Sequence, residues 1–332
     1  MRLLSRLTKY LSRCVPKGMH PHVPYGVIAV LVTLFVYGFW IAPPSDFPLK
    51  ATIRVEEGMN VEQIAERLVE RSVIRSERLF VLLARVSGTA DGLVEGQYRF
   101  DRGYSIFTVL YRLSRGVYGF NMVKIVIPEG ATNAEIASIL NAKLDNFEKT
   151  KFLEAVKDKE GYLFPDTYLF TPVATYEDVI KKIDQNFQRQ IGSYEVVALA
   201  KGHTLHEILT MASLIEEEAR KIEDRRMVAG ILWNRIDAGM LLQVDAVFPY
   251  IVGRNTYEVT KTDLKHDSLY NTYRHKGLPP GPISNPGKDA IDAALNPTKS
   301  DYLYYLSDRK GNMHYAETFD EHKKNRVKYL NS

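Results

Sequence analysis

Apolar residues in this chain follow three patterns. Near the start they are continuous: "YGVIAVLVTLFVYGFWIA", Tyr25 to Ala42, carries no charge and stops at Pro43 and Pro44. Further on they alternate at Ile53/Val55 and Ile125/Ile127, which suits half-buried strands, and recur at i,i+4 in Ile64/Leu68 and Ile136/Leu140, which gives helices one apolar face. These belong to two similar segments, "IRVEEGMNVEQIAERLVE" at 53–70 and "IVIPEGATNAEIASILNAKL" at 125–144. Glu57-Gly58, Ile64-Ala65 and Leu68 match Glu129-Gly130, Ile136-Ala137 and Leu140 at the same offsets, so each segment reads strand, Glu-Gly turn, helix. Between them, 96–116 predicts another strand and a helix from Ile106 to Leu113. From about residue 146 the pattern changes to longer helices, over 176–200 and 203–238, and to Pro-rich loops. "GLPPGPISNPG" at 277–287 reads as a stiff extended loop, 289–297 as a short helix, and 301–308 as a strand turning at "RKGN". The class is α+β: a small β-α region at 46–145, then a mainly helical domain at 146–332 with a β- and loop-rich C-terminal part.

With 332 residues, 45% hydrophobic and 25% charged, the chain can bury a sizeable core. Its net charge of +4 is unevenly placed. Arg2, Arg6, Lys9, Arg13 and Lys17 precede the first acid, Asp46, and removing those five leaves −1. Such an address-like cluster argues against a nucleic-acid footprint. The apolar run behind it is just long enough to cross a hydrocarbon core of roughly 30 Å. A cleaved signal peptide competes, but the run exceeds a usual apolar signal region and ends in Trp40 and prolines rather than a small-residue cleavage site. An anchor at 25–43 is therefore expected, with residues 1–24 cytoplasmic and the rest outside. The single cysteine, Cys14, falls on the cytoplasmic side, so the exported part is expected to have no disulfide.

The candidate chemistry lies in "TMASLIEEEARKI", 210–222. At helical spacing, Leu205, Ile208, Ala212, Ile215, Ala219 and Ile222 form one buried stripe, and Glu217 projects away from it into solvent. Glu216 and Glu218 flank its two edges. Beside Glu218 stand Met211, Leu214, Ile215 and Ile222, a bulky apolar wall that disfavours the charged carboxylate and suits a general acid. Alternatively, both are boundary residues paired with Arg220, Lys221 or Arg225. No nucleotide loop, Cys cluster or His-x-x-x-His pair occurs, and His314 and His322 match no common ligand spacing, so packing or surface roles are expected for both. Asp166 in "FPDTY" reads as a turn or cap residue.

"EGYLFPDTY" (160–168), "MASLIEEEA" (211–219), "GILWNRIDAGMLLQVDAVFPY" (230–250), "YNTYRHKGLPPGPISNPGKDAIDAALNP" (270–297) and "HYAETFDEHKKN" (314–325) resemble, in order, the successive blocks of the YceG-like endolytic murein transglycosylase family. The β-α units at 46–145 look like LysM-type modules, which bind N-acetylated glycans; a spacer holding the remainder off the membrane is the alternative. The resemblance implies that Glu218 is catalytic, with Glu216 supporting. Asp245 is kept as a binding or electrostatic residue, with a capped turn as its plainer role. Gln243, Asn271, Thr272 and Tyr273 supply the amide, hydroxyl and aromatic groups of a saccharide cleft, against simple loop packing. Two departures stand out: Glu217 where the family has Lys or Arg, and Ala246-Val247 where it has Pro-Thr.

What the resemblance implies is cleavage of the MurNAc-GlcNAc bond of nascent peptidoglycan strands, leaving 1,6-anhydro ends and terminating strand elongation, with no metal or other cofactor. Peptidoglycan is the expected substrate and a peptidoglycan synthase or penicillin-binding protein the expected partner. The expected location is the bacterial inner membrane, single-pass, with the catalytic domain extracytoplasmic (periplasmic in a Gram-negative cell). A hydrolysing muramidase and a non-catalytic glycan-binding scaffold of the synthesis complex are the competing readings.

Overall fold

The computed structural model of the protein describes residues 23–253 and 259–330. The basic residues up to Lys17, and Cys14, lie outside the described residues. The chain forms two compact units, Met1–Asn121 and Met122–Ser332. It is mixed helix and sheet, mostly helical, and the three sheets among the described residues have two strands each.

In the first unit, helix α1 (Val23–Val36) continues as a π-helical turn, Tyr37–Ile41. The continuous membrane-spanning helix expected over 25–43 is therefore divided, and no helix among the described residues is long and apolar enough to cross a membrane. Strand β1 (Thr52–Val55) follows, then α2 (Val61–Glu70), α3 (Glu77–Val86) and β2 (Gly96–Arg99), which returns antiparallel to β1 with Tyr98 opposite Ile53. Asn60 starts α2 through a reciprocal capping box with Gln63, and Ser76 caps α3 by accepting from Leu79 N–H. Helix α4 (Ile106–Arg115) closes the unit over a core that includes Ile64, Leu68, Phe80, Phe100 and Leu113. It ends at Gly116, whose φ of 63° suits glycine at a helix C-terminus.

The second unit begins with the same order: β3 (Val123–Val126), α5 (Asn133–Asn141), α6 (Lys149–Ala155) and β4 (Thr167–Phe170), with Tyr168 opposite Ile125. Both Glu-Gly turns place glycine at positive φ, 77° at Gly58 and 78° at Gly130. The likeness also extends beyond what the sequence repeat predicts. Tyr98 donates its hydroxyl to Val94 O at 2.6 Å, and Tyr168 donates to Phe164 O at 2.7 Å, so the partner strands correspond as well. Because the partner of β3 lies at 167–170, the second strand-turn-helix segment stands in the larger unit rather than with residues 46–121.

Helices α7 (Tyr176–Ile191), α8 (Tyr194–Ala200), α9 (Leu205–Glu218), α10 (Ile222–Asp237), α11 (Val247–Val252) and α12 (Lys288–Leu295) follow. The hairpin β5 (Tyr304–Ser307) and β6 (Met313–Ala316) and helix α13 (Phe319–Leu330) end the described chain. Helices α9, α10 and α12 share one core containing Met211, Leu214, Ile215, Val228, Leu232, Ile291 and Leu295.

One buried asparagine ties the βααβ part of this unit to the Pro-rich loop. Asn285 is fully buried; its Nδ2 donates to Ala131 O at 2.9 Å and Asn133 Oδ1 at 2.9 Å, and its Oδ1 accepts from Leu163 N–H at 2.7 Å. Its backbone carbonyl takes Gly130 N–H at 2.9 Å and its own N–H reaches Ala131 O at 3.0 Å. The loop is stiffened by its prolines and held through buried amide pairs, which cost most when one partner is lost.

Gly230, in the middle of α10, lies so close to the segment before β5 that a Cβ there would stand 2.2 Å from Thr298 O. Gly230→Ala should therefore destabilise the protein by about 2 kcal/mol or more, measured by chemical denaturation, although alanine is the better helix former by about 1 kcal/mol.

Candidate active site

Helix α9 starts at Thr204, whose hydroxyl accepts from Glu207 N–H at 3.1 Å while Glu207 Oε2 accepts from Thr204 N–H at 2.8 Å. Ile208 through Ile215 are all buried, a wider face than the expected stripe. The helix then stops. Ala219 is extended, with φ −143° and ψ 142°, so Ile222 begins α10 instead of continuing the stripe. Neither Gly nor Pro causes the break; Arg225 does, donating its Nε to Ala219 O at 2.9 Å. All three glutamates consequently occupy the last turn of α9, where unsatisfied carbonyls disfavour negative charge.

Their environments differ. Glu216 forms a buried ion pair with Arg225, both side chains less than a tenth exposed, and accepts from Gly287 N–H at 2.9 Å. Burial raises its pKa, opposed by Gly287 N–H and Arg225. It joins α9, α10 and the first turn of α12, as a strut. Glu217 is exposed, as expected, and its carboxyl lies over Gly130.

Glu218 faces the β5–β6 hairpin and the segment before α11. Its Oε2 accepts from the Tyr305 hydroxyl at 3.1 Å. Burial pushes its pKa up from 4.5 to about 7; Asp245 and Glu217 push the same way, while Tyr305 and the Ala246 N–H hold it back. Asp245 is exposed, and its Oδ1 accepts from the Tyr273 hydroxyl at 2.5 Å. Burial and Asp245 in turn raise the pKa of Tyr273.

Gln243 adopts φ 54°, uncommon for a residue with a side chain. Its Oε1 accepts from Arg235 Nη2 at 2.7 Å and its N–H reaches Thr272 O at 3.1 Å. Buried Arg235 also donates to Leu241 O at 3.0 Å and Leu303 O at 3.3 Å, joining the Gln243 segment to the strand that carries Tyr305.

Asn271 and Thr272 are brought near but face inward. Asn271 is fully buried, spending its amide on Leu264 O at 3.1 Å and His266 O at 2.9 Å and its Oδ1 on Tyr273 N–H at 3.0 Å. Thr272 exchanges hydrogen bonds with the Val244 backbone, at 3.0 and 3.1 Å. Their amide and hydroxyl are thus committed to the fold, tying down the backbone at Tyr273 and Val244.

Tyr305, Arg235 and the Ala246 N–H were not among the expected site residues. The only trace of Tyr305 is the alternation in "DYLYYLSD", which sends Tyr304 and Tyr305 to opposite faces of β5. Of the family departures, Val247 is buried in the core and Ala246 contributes a backbone N–H to Glu218 that proline would lack.

Asp166 stands immediately before β4, accepting from Thr167 N–H at 2.6 Å and Asn186 Nδ2 at 2.9 Å. His314 pairs with Asp308 at 3.1 Å and stacks on Tyr329, and His322 packs against Tyr304. Among the described residues no group of three or more His, Cys, Asp or Glu is arranged to hold a metal ion.

The YceG-like family matches residues 53–328. An endolytic murein transglycosylase from Bacillus subtilis (strain 168) is 34% identical over 327 residues, covering 90% of each chain. One from Streptococcus pneumoniae serotype 2 is 29% identical, over 94% of this chain and 66% of its own length. A crystal structure of a YceG-like protein from Listeria monocytogenes superposes with a TM-score of 0.56 at 31% identity, covering 83% of this chain and 98% of that one.

Two stability measurements separate the glutamates. Glu216→Ala strands Arg225 in a buried site and should cost about 3 kcal/mol or more by denaturation. For Glu218 the sign follows from its raised pKa. Below about pH 4.5 it is protonated in folded and unfolded chains alike; between about 4.5 and 7 only the unfolded chain ionises, so stability falls as pH rises, and above about 7 the penalty is complete. Glu218→Gln lacks that penalty, so its Tm should gain on the wild type between pH 4.5 and 8.

Proposed function

Because the chain belongs to the YceG-like family, we propose that it is a peptidoglycan-cleaving lytic transglycosylase with Glu218 as its acid and base. The observation that carries this reading is the state of Glu218: a carboxyl whose burial lifts its pKa to about 7, able to hold a proton near neutral pH and to give it up.

Glu218 protonates the oxygen between N-acetylmuramic acid and N-acetylglucosamine, and the bond from that oxygen to the muramic C1 breaks. The muramic N-acetyl group stabilises the cationic C1. Glu218, now a carboxylate, takes the proton of the same sugar's C6 hydroxyl as its oxygen bonds to C1, closing a 1,6-anhydro ring. Glu218 ends protonated and no water is consumed. Since the nucleophile is part of the bound sugar, one carboxyl serves both transfers, and proximity supplies much of the rate. Asp245 acts electrostatically: as a carboxylate near Glu218 it disfavours ionisation of the acid and favours positive charge developing at C1. Gln243 and Tyr273 offer an amide and a ring to the sugar.

The reading extends to the rest of the chain. The run Tyr25–Ala42 attaches the protein to the inner membrane, with 1–24 cytoplasmic and the catalytic unit outside; the exposure of Val30, Leu31, Phe35, Phe39 and Trp40 supports this. The first βααβ unit is LysM-like and holds glycan. Cutting beside the membrane, the enzyme ends elongation of new strands next to a peptidoglycan synthase.

Mass spectrometry of products from uncrosslinked peptidoglycan strands tests the reaction. Anhydro-ended fragments are expected, lost in Glu218→Gln. Reducing ends would make the protein a hydrolase with Asp245 as its second carboxylate, and no cleavage in membranes containing the synthase would favour a scaffold. In the same assay kcat/KM should fall as pH rises above about 7, where free Glu218 loses its proton.

A further inference from the structure

We propose that Tyr305 is a positioning residue for Glu218: its hydroxyl orients the carboxyl and stabilises the carboxylate that exists between the two proton transfers. The proposal rests on the reading of Glu218 as the acid.

The geometry is built for a fixed donor. Tyr305 reaches across 87 residues of sequence to place its hydroxyl 3.1 Å from Glu218 Oε2. Its strand is held on several sides. Tyr315, opposite it in β6, donates its hydroxyl to Asp224 Oδ1 at 2.8 Å in the first turn of α10. Leu303 N–H reaches Ala316 O at 3.1 Å while Leu303 O accepts from Arg235. Tyr304, on the other face, lies 5.4 Å from the Arg235 guanidinium and packs against Phe319 and His322. With Tyr304 held on the opposite face and Tyr315 beside it bonded to α10, Tyr305 lies toward the end of α9.

The charged groups around the pair define its role. Glu217 on the same helix and Asp245 on the facing loop both oppose ionisation of Glu218. Tyr305 and the Ala246 N–H counter them. Arg235 on α10 acts on the tyrosine, and Tyr273 is engaged with Asp245. Burial and Glu218 raise the Tyr305 pKa well above its ordinary value, so the phenol keeps its proton throughout the working range. As a donor to a carboxylate it makes the stronger, charge-assisted kind of hydrogen bond, and its effect is largest when Glu218 is ionised.

The experiment uses the full chain with Tyr305→Phe, which keeps the ring, and with a ring-fluorinated tyrosine at 305, which donates more strongly. Two readouts are taken: the pH profile of kcat/KM on glycan strands, and infrared titration of the Glu218 carboxyl, assigned by its absence in Glu218→Gln. Tyr305→Phe should move both midpoints to higher pH by about one unit and lower kcat by about tenfold. The fluorinated residue should move both midpoints to lower pH. Midpoints unchanged in both variants would overturn the proposal, as would a downward move in Tyr305→Phe, which would mean that the phenol accepts from a protonated Glu218. The infrared titration needs no turnover. If it shifts while the wild type gives no anhydro products, the assignment of Tyr305 stands and the reading of the reaction falls.

Discussion

The buried ion pair between Glu216 and Arg225 is the constraint on which the site depends. Arg225 spends its Nε on the carbonyl of Ala219 and so turns the chain out of α9 one residue after Glu218. Glu216 reaches on to Gly287 and fixes the start of α12. Three helices are thereby joined beside Glu218. Such a pair contributes little over an apolar substitute but is costly to break, which suits a junction more than a stability reserve.

From that junction the arrangement spreads outward. Asn285, two residues before Gly287, inserts into the turn of the second βααβ unit, so the Pro-rich loop is pinned at both its amide-bonding residue and its end. Arg235 does for the opposite side what Arg225 does for this one, binding the Gln243 segment and the strand of Tyr305 through three carbonyl or amide oxygens. Asn271 and Thr272 belong to the same support. Two buried arginines and two buried asparagines thus hold the segments that surround Glu218.

The three adjacent glutamates illustrate how environment separates identical side chains. Glu216 has a cation and a backbone donor, Glu217 is exposed yet crowded by Gly130 and by the carboxyls of Glu216 and Glu135, and Glu218 has a phenol, an N–H and a neighbouring carboxylate. All three are pushed toward the protonated form, and Glu218 the furthest, to about 7.

By itself the sequence determined the local elements and the candidate for the acid. Period-2 and i,i+4 patterns located β1, α2, β3 and α5, the matching Glu-Gly turns disclosed the repeat, and the bulky apolar neighbours of Glu218 distinguished it from Glu216. These are short-range signals, set by side chains within one or two helical turns. Tertiary structure decided the rest. The break at Ala219 follows from an arginine six residues on and not from any breaker residue; the polar character of Asn271 and Thr272 served buried amides as well as it could have served a sugar; and Tyr305 meets Glu218 only because a hairpin 87 residues away is folded against α9. Hydrogen bonds of that range leave no periodicity in a sequence, because either partner would read the same if the other were absent.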